Sequence, residues 1–191
     1  MSDSLYDKLK ALIYAKHRTE NECREYLKHA KDMLFKVGGV GIRYCKEWRQ
    51  HSGDSDYIVI GRCSEGGNDR NRAYLWELKA SQCFVFVEDK KSKNRLMPSE
   101  DLLQAENQLL NYYDELRGNN DFRDFYSVSL PSDICIGGII IGCDNTKVRG
   151  SLSDNQKVSL YHKAFRCREL FYDGANLRLL LWNDILDHLK T

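Results

Sequence analysis

Two short segments carry residues that can do chemistry together. Asp56 opens the apolar run Asp56-Tyr57-Ile58-Val59-Ile60-Gly61, and Trp76-Glu77-Leu78-Lys79 ends a second run across a polar turn. Along a strand side chains alternate faces, so Glu77 and Lys79 project one way and Leu78 the other. Two carboxylates converging beside one lysine are what metal-assisted phosphodiester hydrolysis needs. The carboxylates hold a hard divalent cation, Mg²⁺ or Mn²⁺, and the cation stabilises charge developing on the phosphate. The lysine orients or activates the attacking water. Asp54 competes for the first acidic role, but Asp56 sits directly on the apolar strand. The bland readings are a turn acid for Asp56 and an exposed strand pair, worth little, for Glu77 and Lys79. The Tyr74-Leu75-Trp76-Glu77-Leu78-Lys79 run is apolar around its charges, which argues for a central strand.

The elements that must position these residues follow from periodicity. Leu5, Leu9, Leu12 and Ile13 recur at helical spacing. Thr19 reads as an N-cap with Glu22 at the capping-box position, opening a second helix to about Val37. Val40 to Trp48 reads as a strand, Gln50 to Ser55 as a polar turn, and Asp56 to Cys63 as an interior strand. Ser64 to Asn71 reads as a hairpin loop, with Gly66-Gly67 inside it. Arg72 to Lys79 forms the third strand, Phe84 to Val87 an extension or a short strand of its own, and Glu88 to Arg95 a charged loop. Ser99 caps a helix to about Arg117, with Leu102, Leu103, Leu109, Leu110, Tyr113 and Leu116 available for packing. The long connection Gly118 to Ser132 carries Phe122, Phe125 and Tyr126, apolar enough for a lid or a dimer surface. Ile134 to Ile141 is the strongest strand. A helix from about Ser153 to Phe171, a strand from Leu177 to Trp182 and a short terminal helix complete the chain. The fold class is therefore α/β, a mixed central sheet flanked by helices. We expect one domain over 1–191, with a helical segment at 1–38 and a sheet core at 39–191.

The bulk numbers set bounds. With 191 residues, 42% hydrophobic and 30% charged, the composition is that of an ordinary globular chain. No apolar run is long enough to cross a bilayer, so no membrane contact is expected. Seven widely spaced cysteines without a C-x-x-C pair argue against zinc and for a reducing cytoplasm. The net charge of +1 requires any nucleic-acid contact to rest on local charge.

The D…E-x-K arrangement resembles the PD-(D/E)xK, restriction-endonuclease-like superfamily, whose α-β-β-β-α-β core matches the expected element order. Within it the chain resembles the Shedu family of bacterial anti-phage nucleases. Ser55-Asp56-Tyr57-Ile58-Val59 resembles that family's P-D-F acid strand, with Ser in place of Pro. Trp76-Glu77-Leu78-Lys79 resembles its E-I/L-K strand, and Ala105 to Tyr112 its A-x-x-Q-x-x-x-Y helix. Gly138 to Gly142 and Leu177 to Leu186 resemble its closing elements. The resemblance implies a Mg²⁺- or Mn²⁺-dependent DNA endonuclease working in anti-phage defence as a homo-oligomer, a dimer or a dimer of dimers. It implies metal ligation by Asp56, Glu77 and the Leu78 carbonyl, with Lys79 acting on water and Gln108 supporting it. Gln104, one turn earlier, is the runner-up. Relatives also contribute a glutamate from the first core helix, for which Glu22 is a weak candidate and Glu25 reads as a solvated face. Lys90, Lys91, Lys93 and Arg95 form a basic run placed to touch phosphates. The alternative function is a catalytically silent module of the same fold that binds nucleic acid or assembles.

Overall fold

Alternating apolar residues divide the protein into two packed layers on either side of a sheet. The computed structural model describes residues 4–35, 38–51, 53–65, 68–92 and 94–190. Its elements, in chain order, are α1 (Leu5–Ile13), α2 (Glu20–Arg24), a 3-10 turn (Leu27–His29), α3 (Lys31–Leu34), β1 (Val40–Arg49), β2 (Asp54–Glu65), β3 (Asn68–Leu78), β4 (Phe86–Glu88), β5 (Leu96–Pro98), α4 (Glu100–Gly118), α5 (Asn120–Tyr126), β6 (Ile134–Ile140), β7 (Val148–Arg149), α6 (Asp154–Asp173), β8 (Arg178–Leu180) and α7 (Trp182–His188). The main sheet has the order β1-β2-β3-β6-β8, antiparallel from β1 to β3 and parallel from β3 to β8. A mixed five-stranded sheet flanked by helices is thus present. A second sheet, β5-β4-β7, lies apart from it.

The faces separate cleanly. Ile58, Ile60, Ala73 and Leu75 pack under α4 through Leu102, Ala105, Leu109 and Leu116. Tyr57, Val59, Tyr74 and Trp76 pack against α1, α2, α3 and α7 through Leu9, Ile13, Cys23, Leu34 and Trp182. Removing one such buried leucine side chain typically costs about 2–5 kcal/mol. Gly137 and Gly138 let β6 lie against Trp76. A Cβ at Gly138 would meet the Arg178 carbonyl and the Trp76 ring. Ser99 caps α4 by accepting the Leu102 amide at 3.0 Å. Among the described residues no helix is long and apolar enough to cross a membrane.

Several expected elements differ. The second helix does not run from Thr19 to Val37, whose last residue lies outside the described residues. It breaks into α2, the 3-10 turn and α3, and ends at Leu34, where the Met33 and Leu34 carbonyls accept from the Arg178 guanidinium and the Trp76 indole. The Thr19–Glu22 capping box is absent. The Thr19 hydroxyl instead donates to the Leu12 carbonyl, joining α2 to α1. The β2–β3 ladder runs on to Glu65 opposite Asn68, so Ser64 and Asn68 to Asn71 are strand rather than loop. The expected Gly66-Gly67 turn lies outside the described residues. Phe86 belongs to the second sheet. Leu103 and Leu110 are exposed, since α4 buries a narrower stripe. The long connection after α4 contains α5, capped by the Asn119 side chain on the Phe122 amide at 2.8 Å.

Candidate functional site at the end of the sheet

Antiparallel pairing brings the two acids together. Tyr57 lies opposite Trp76, and continuing that register sets Asp56 opposite Glu77. Both then share the face of Ile58 and Leu75, under α4. The backbone ladder between β2 and β3 ends at Trp76, whereas β3 continues beside β6 through Leu78. The Leu78 amide is satisfied by a side chain, donating to Asp56 Oδ2 at 2.8 Å. This bond fixes the carboxylate at the mouth of the splayed strands.

Lys79 ties the cluster to the helix above it. Its Nζ donates to Glu77 Oε1 at 2.8 Å and to Gln108 Oε1 at 2.6 Å. Gln108 is half-buried on α4, and the runner-up Gln104 is exposed. The Lys79 carbonyl accepts the Trp182 indole at 2.8 Å, anchoring the backbone from the opposite layer. Tyr112, one helical turn beyond Gln108, is buried, and a Cβ at Gly53 would press on its hydroxyl.

The electrostatics are those of two acids competing for one cation. Glu77 is 2% exposed, and its carboxyl lies in hydrogen-bond reach of Asp56. Burial first, then the neighbouring Asp56, pushes its carboxyl up to about 8 against the pull of Lys79. Burial also raises Asp56, opposed by the Leu78 amide and Lys79. For Lys79, burial works toward the neutral amine, but Glu77 and Asp56 outweigh it and the net direction is upward. The ammonium therefore persists and the acids retain a proton between them.

The structure adds a residue that spacing did not single out. Glu20, the first residue of α2, is half-buried. Its carboxyl is raised by burial and by Asp56, and lowered by Lys79 and the Ala80 amide. It therefore faces this same cluster. Glu22 is exposed, because two helical steps of 100° turn it away from Glu20 while Cys23 enters the core. Glu25 bonds Lys46 at 2.6 Å. An acid in a helix's first turn is ordinary on dipole grounds alone, so nothing local distinguishes Glu20 from Glu22.

The basic run sits differently from expectation. It does not leave the E-x-K strand directly: Ala80 to Val85 and β4 intervene. Asp89 organises it, accepting the Lys91 amide at 2.9 Å and the Arg95 Nε at 2.7 Å, so the Arg95 charge is already paired. Lys90 and Lys91 are exposed, and Lys93 lies outside the described residues.

Among the described residues no group of three or more His, Cys, Asp or Glu side chains is arranged to hold a metal ion. The candidate donors are the two acids and backbone oxygen. No family model matches the chain, and no curated protein is similar to it at a significant level.

Proposed function

We propose that this protein is a metal-dependent endonuclease of the PD-(D/E)xK, restriction-endonuclease-like kind, hydrolysing DNA phosphodiester bonds in a Shedu-like anti-phage role. One observation carries the reading: a lysine is held between a buried glutamate and a helix glutamine, beside a second acid across the strand pair. A structural ion pair has no need of a second acid hydrogen-bonded to the buried glutamate, or of a proton retained between the two carboxyls. The element order α-β-β-β-α-β supports the same assignment, though fold alone licenses no activity.

The donor set fits a hard divalent ion. Glu77 is buried and its carboxyl shares a hydrogen bond with Asp56 across the strands, so a cation replacing that proton would take oxygen from both acids. Asp56, Glu77 and the Leu78 carbonyl would hold Mg²⁺ or Mn²⁺, with Glu20 at the margin. When bound, the ion would supply charge stabilisation at the phosphate and acidify water. The chain's own residues do the rest. Lys79, fixed by Glu77 and Gln108, presents a proton donor and a positive charge to an attacking water and to the phosphate. Gln108 and Tyr112 close the α4 side. Lys90 and Lys91 offer phosphate contacts, which position the nucleic acid without reading its sequence.

A plasmid-nicking assay with Mg²⁺, with Mn²⁺ and with chelator tests the reading. Cleavage with either ion that is lost in Lys79→Ala, with DNA affinity retained, is the expected result, because the lysine acts in the transition state more than in binding. Absence of cleavage under every condition would leave the silent binding or assembly module as the function.

A further inference from the structure

Beside the acids lies a second feature that the hydrolytic reading does not use. β1 carries Trp48 opposite Ser55, the residue before Asp56. Adjacent strands lie about 4.8 Å apart, so the Trp48 backbone is a near neighbour of the acidic site. The ring's direction is set by an irregularity. Cys45 points under α4, and strict alternation would send Glu47 there and Trp48 to the other face. Glu47 instead has φ 56°, pairs with Arg24 of α2 at 2.6 Å and releases Trp48 to the α4–α5 side. There Trp48 meets the buried Phe122 at 5.1 Å, Tyr126 at 5.8 Å and Phe125 at 5.9 Å between ring centres.

This cluster is fixed beneath and open above. Asn71 donates to the Tyr126 carbonyl at 2.9 Å, and Arg43 lies 5.7 Å over the Tyr126 ring. Phe125 rests against Tyr126 at 4.8 Å yet is 70% exposed. Core packing explains Phe122; it does not explain a phenylalanine left in water on a rigid aromatic base. Arg43 and Arg49 are exposed along β1. Asp121 and Asp124, exposed on Phe125's own helix, make the α5 side a poor phosphate cradle. The contact on offer is therefore a π-face, with cations to one side.

We propose that Trp48, Phe125 and Tyr126 form a stacking platform for an unpaired nucleobase on the face of the sheet that carries the acids, so that the substrate class is DNA with a single-stranded segment. The inference rests on the nuclease reading for the chemistry, but not for the binding. Duplex DNA hides its base faces within the stack, whereas a single strand presents them, and aromatic platforms accept any base. The size agrees: a few rings cover one or two bases, far short of the roughly 800 Å² per partner of a stable protein interface. The platform and the acids share the face of the sheet under α4 and α5, with Trp48 reaching from the strand position opposite Ser55 toward Tyr126, which is held by Asn71 six residues along β3 from Glu77.

The test uses the full chain in chelator, so that binding is read without cleavage. Of the three tryptophans, Trp76 and Trp182 are buried, so quenching of intrinsic fluorescence by nucleic acid reports on Trp48. A short oligothymidylate should quench the emission. Phe125→Ala should weaken its binding about 5- to 150-fold, the range for loss of one stacked base. Phe125→Tyr, which keeps the π-face, should bind as the parent does, and blunt duplex should bind all three alike. Absence of quenching, or equal affinity of Phe125→Ala for the oligonucleotide, would overturn the platform. A halved mass for Phe125→Ala in light scattering would also overturn it and assign the rings to self-association. Quenching by a protein that cuts nothing with Mg²⁺ would sink the nuclease reading and leave the platform standing; cutting without quenching would do the reverse.

Discussion

In metal-free protein, replacing Glu77 by Gln should stabilise the fold in a strongly pH-dependent way. Glu77 lies against Asp56, almost wholly out of water, and its carboxyl is pushed from the ordinary 4.5 up to about 8. A carboxyl whose folded pKa lies above its unfolded value favours folding while it keeps its proton. That contribution is complete below the unfolded pKa and disappears as pH rises through the folded one. At about 1.4 kcal/mol per pH unit, the wild-type protein should lose roughly 5 kcal/mol relative to Glu77→Gln between pH 4.5 and pH 8. Below that window both side chains are neutral, of similar shape, and the two proteins should match. Above it the gap should level off. Lys79 retains Gln108 in the variant, so its ammonium is not stranded. Urea unfolding at steps of about one pH unit across that window, in chelator, measures the gap directly. A gap that does not change with pH would refute the placement of Glu77 as a buried, proton-retaining acid. Mg²⁺ added near the upper end of the window should stabilise the wild type and not Glu77→Gln.

Three further outcomes rest on the same geometry. Glu20→Gln should weaken Mg²⁺ dependence of cleavage by several-fold while Glu22→Gln leaves it unchanged, as read from metal titrations of rate. Neutralising Lys90 and Lys91 should lower the log–log salt slope of DNA binding by about one for each phosphate that is no longer neutralised; adding Arg95 to that pair should change little more, because Asp89 already holds it. Gly138→Ala should destabilise the protein by more than about 3 kcal/mol, since the new methyl meets the Arg178 backbone and the Trp76 ring, neither of which can give way. Near-parental urea midpoints for that variant would remove the close packing of β6 against Trp76.

By itself the sequence determined what depends on neighbours a few residues away. Alternation put Glu77 and Lys79 on one face, and the apolar run after Asp56 singled it out over Asp54, which proves to lie on β2 as well but exposed. Ser99 announced the start of α4, but its leucines offered too broad a face, since Leu103 and Leu110 stay in water while Leu102, Leu109 and Leu116 pack beside Gln108. Those are local rules, and they held at the centre of the sheet, where both faces are packed. Long-range contacts set the rest. Glu20 faces the acids from the start of α2, and α2 is tied to α1 by the Thr19 hydroxyl on the Leu12 carbonyl. The second helix stops at Leu34, where Arg178 and Trp76, far along the chain, take its last carbonyls. The basic loop is drawn in on itself by Asp89, and Trp48 faces α5 because Glu47 reverses the strand's alternation to meet Arg24. Each of these turns on a bond between distant segments, which no periodicity within either segment records.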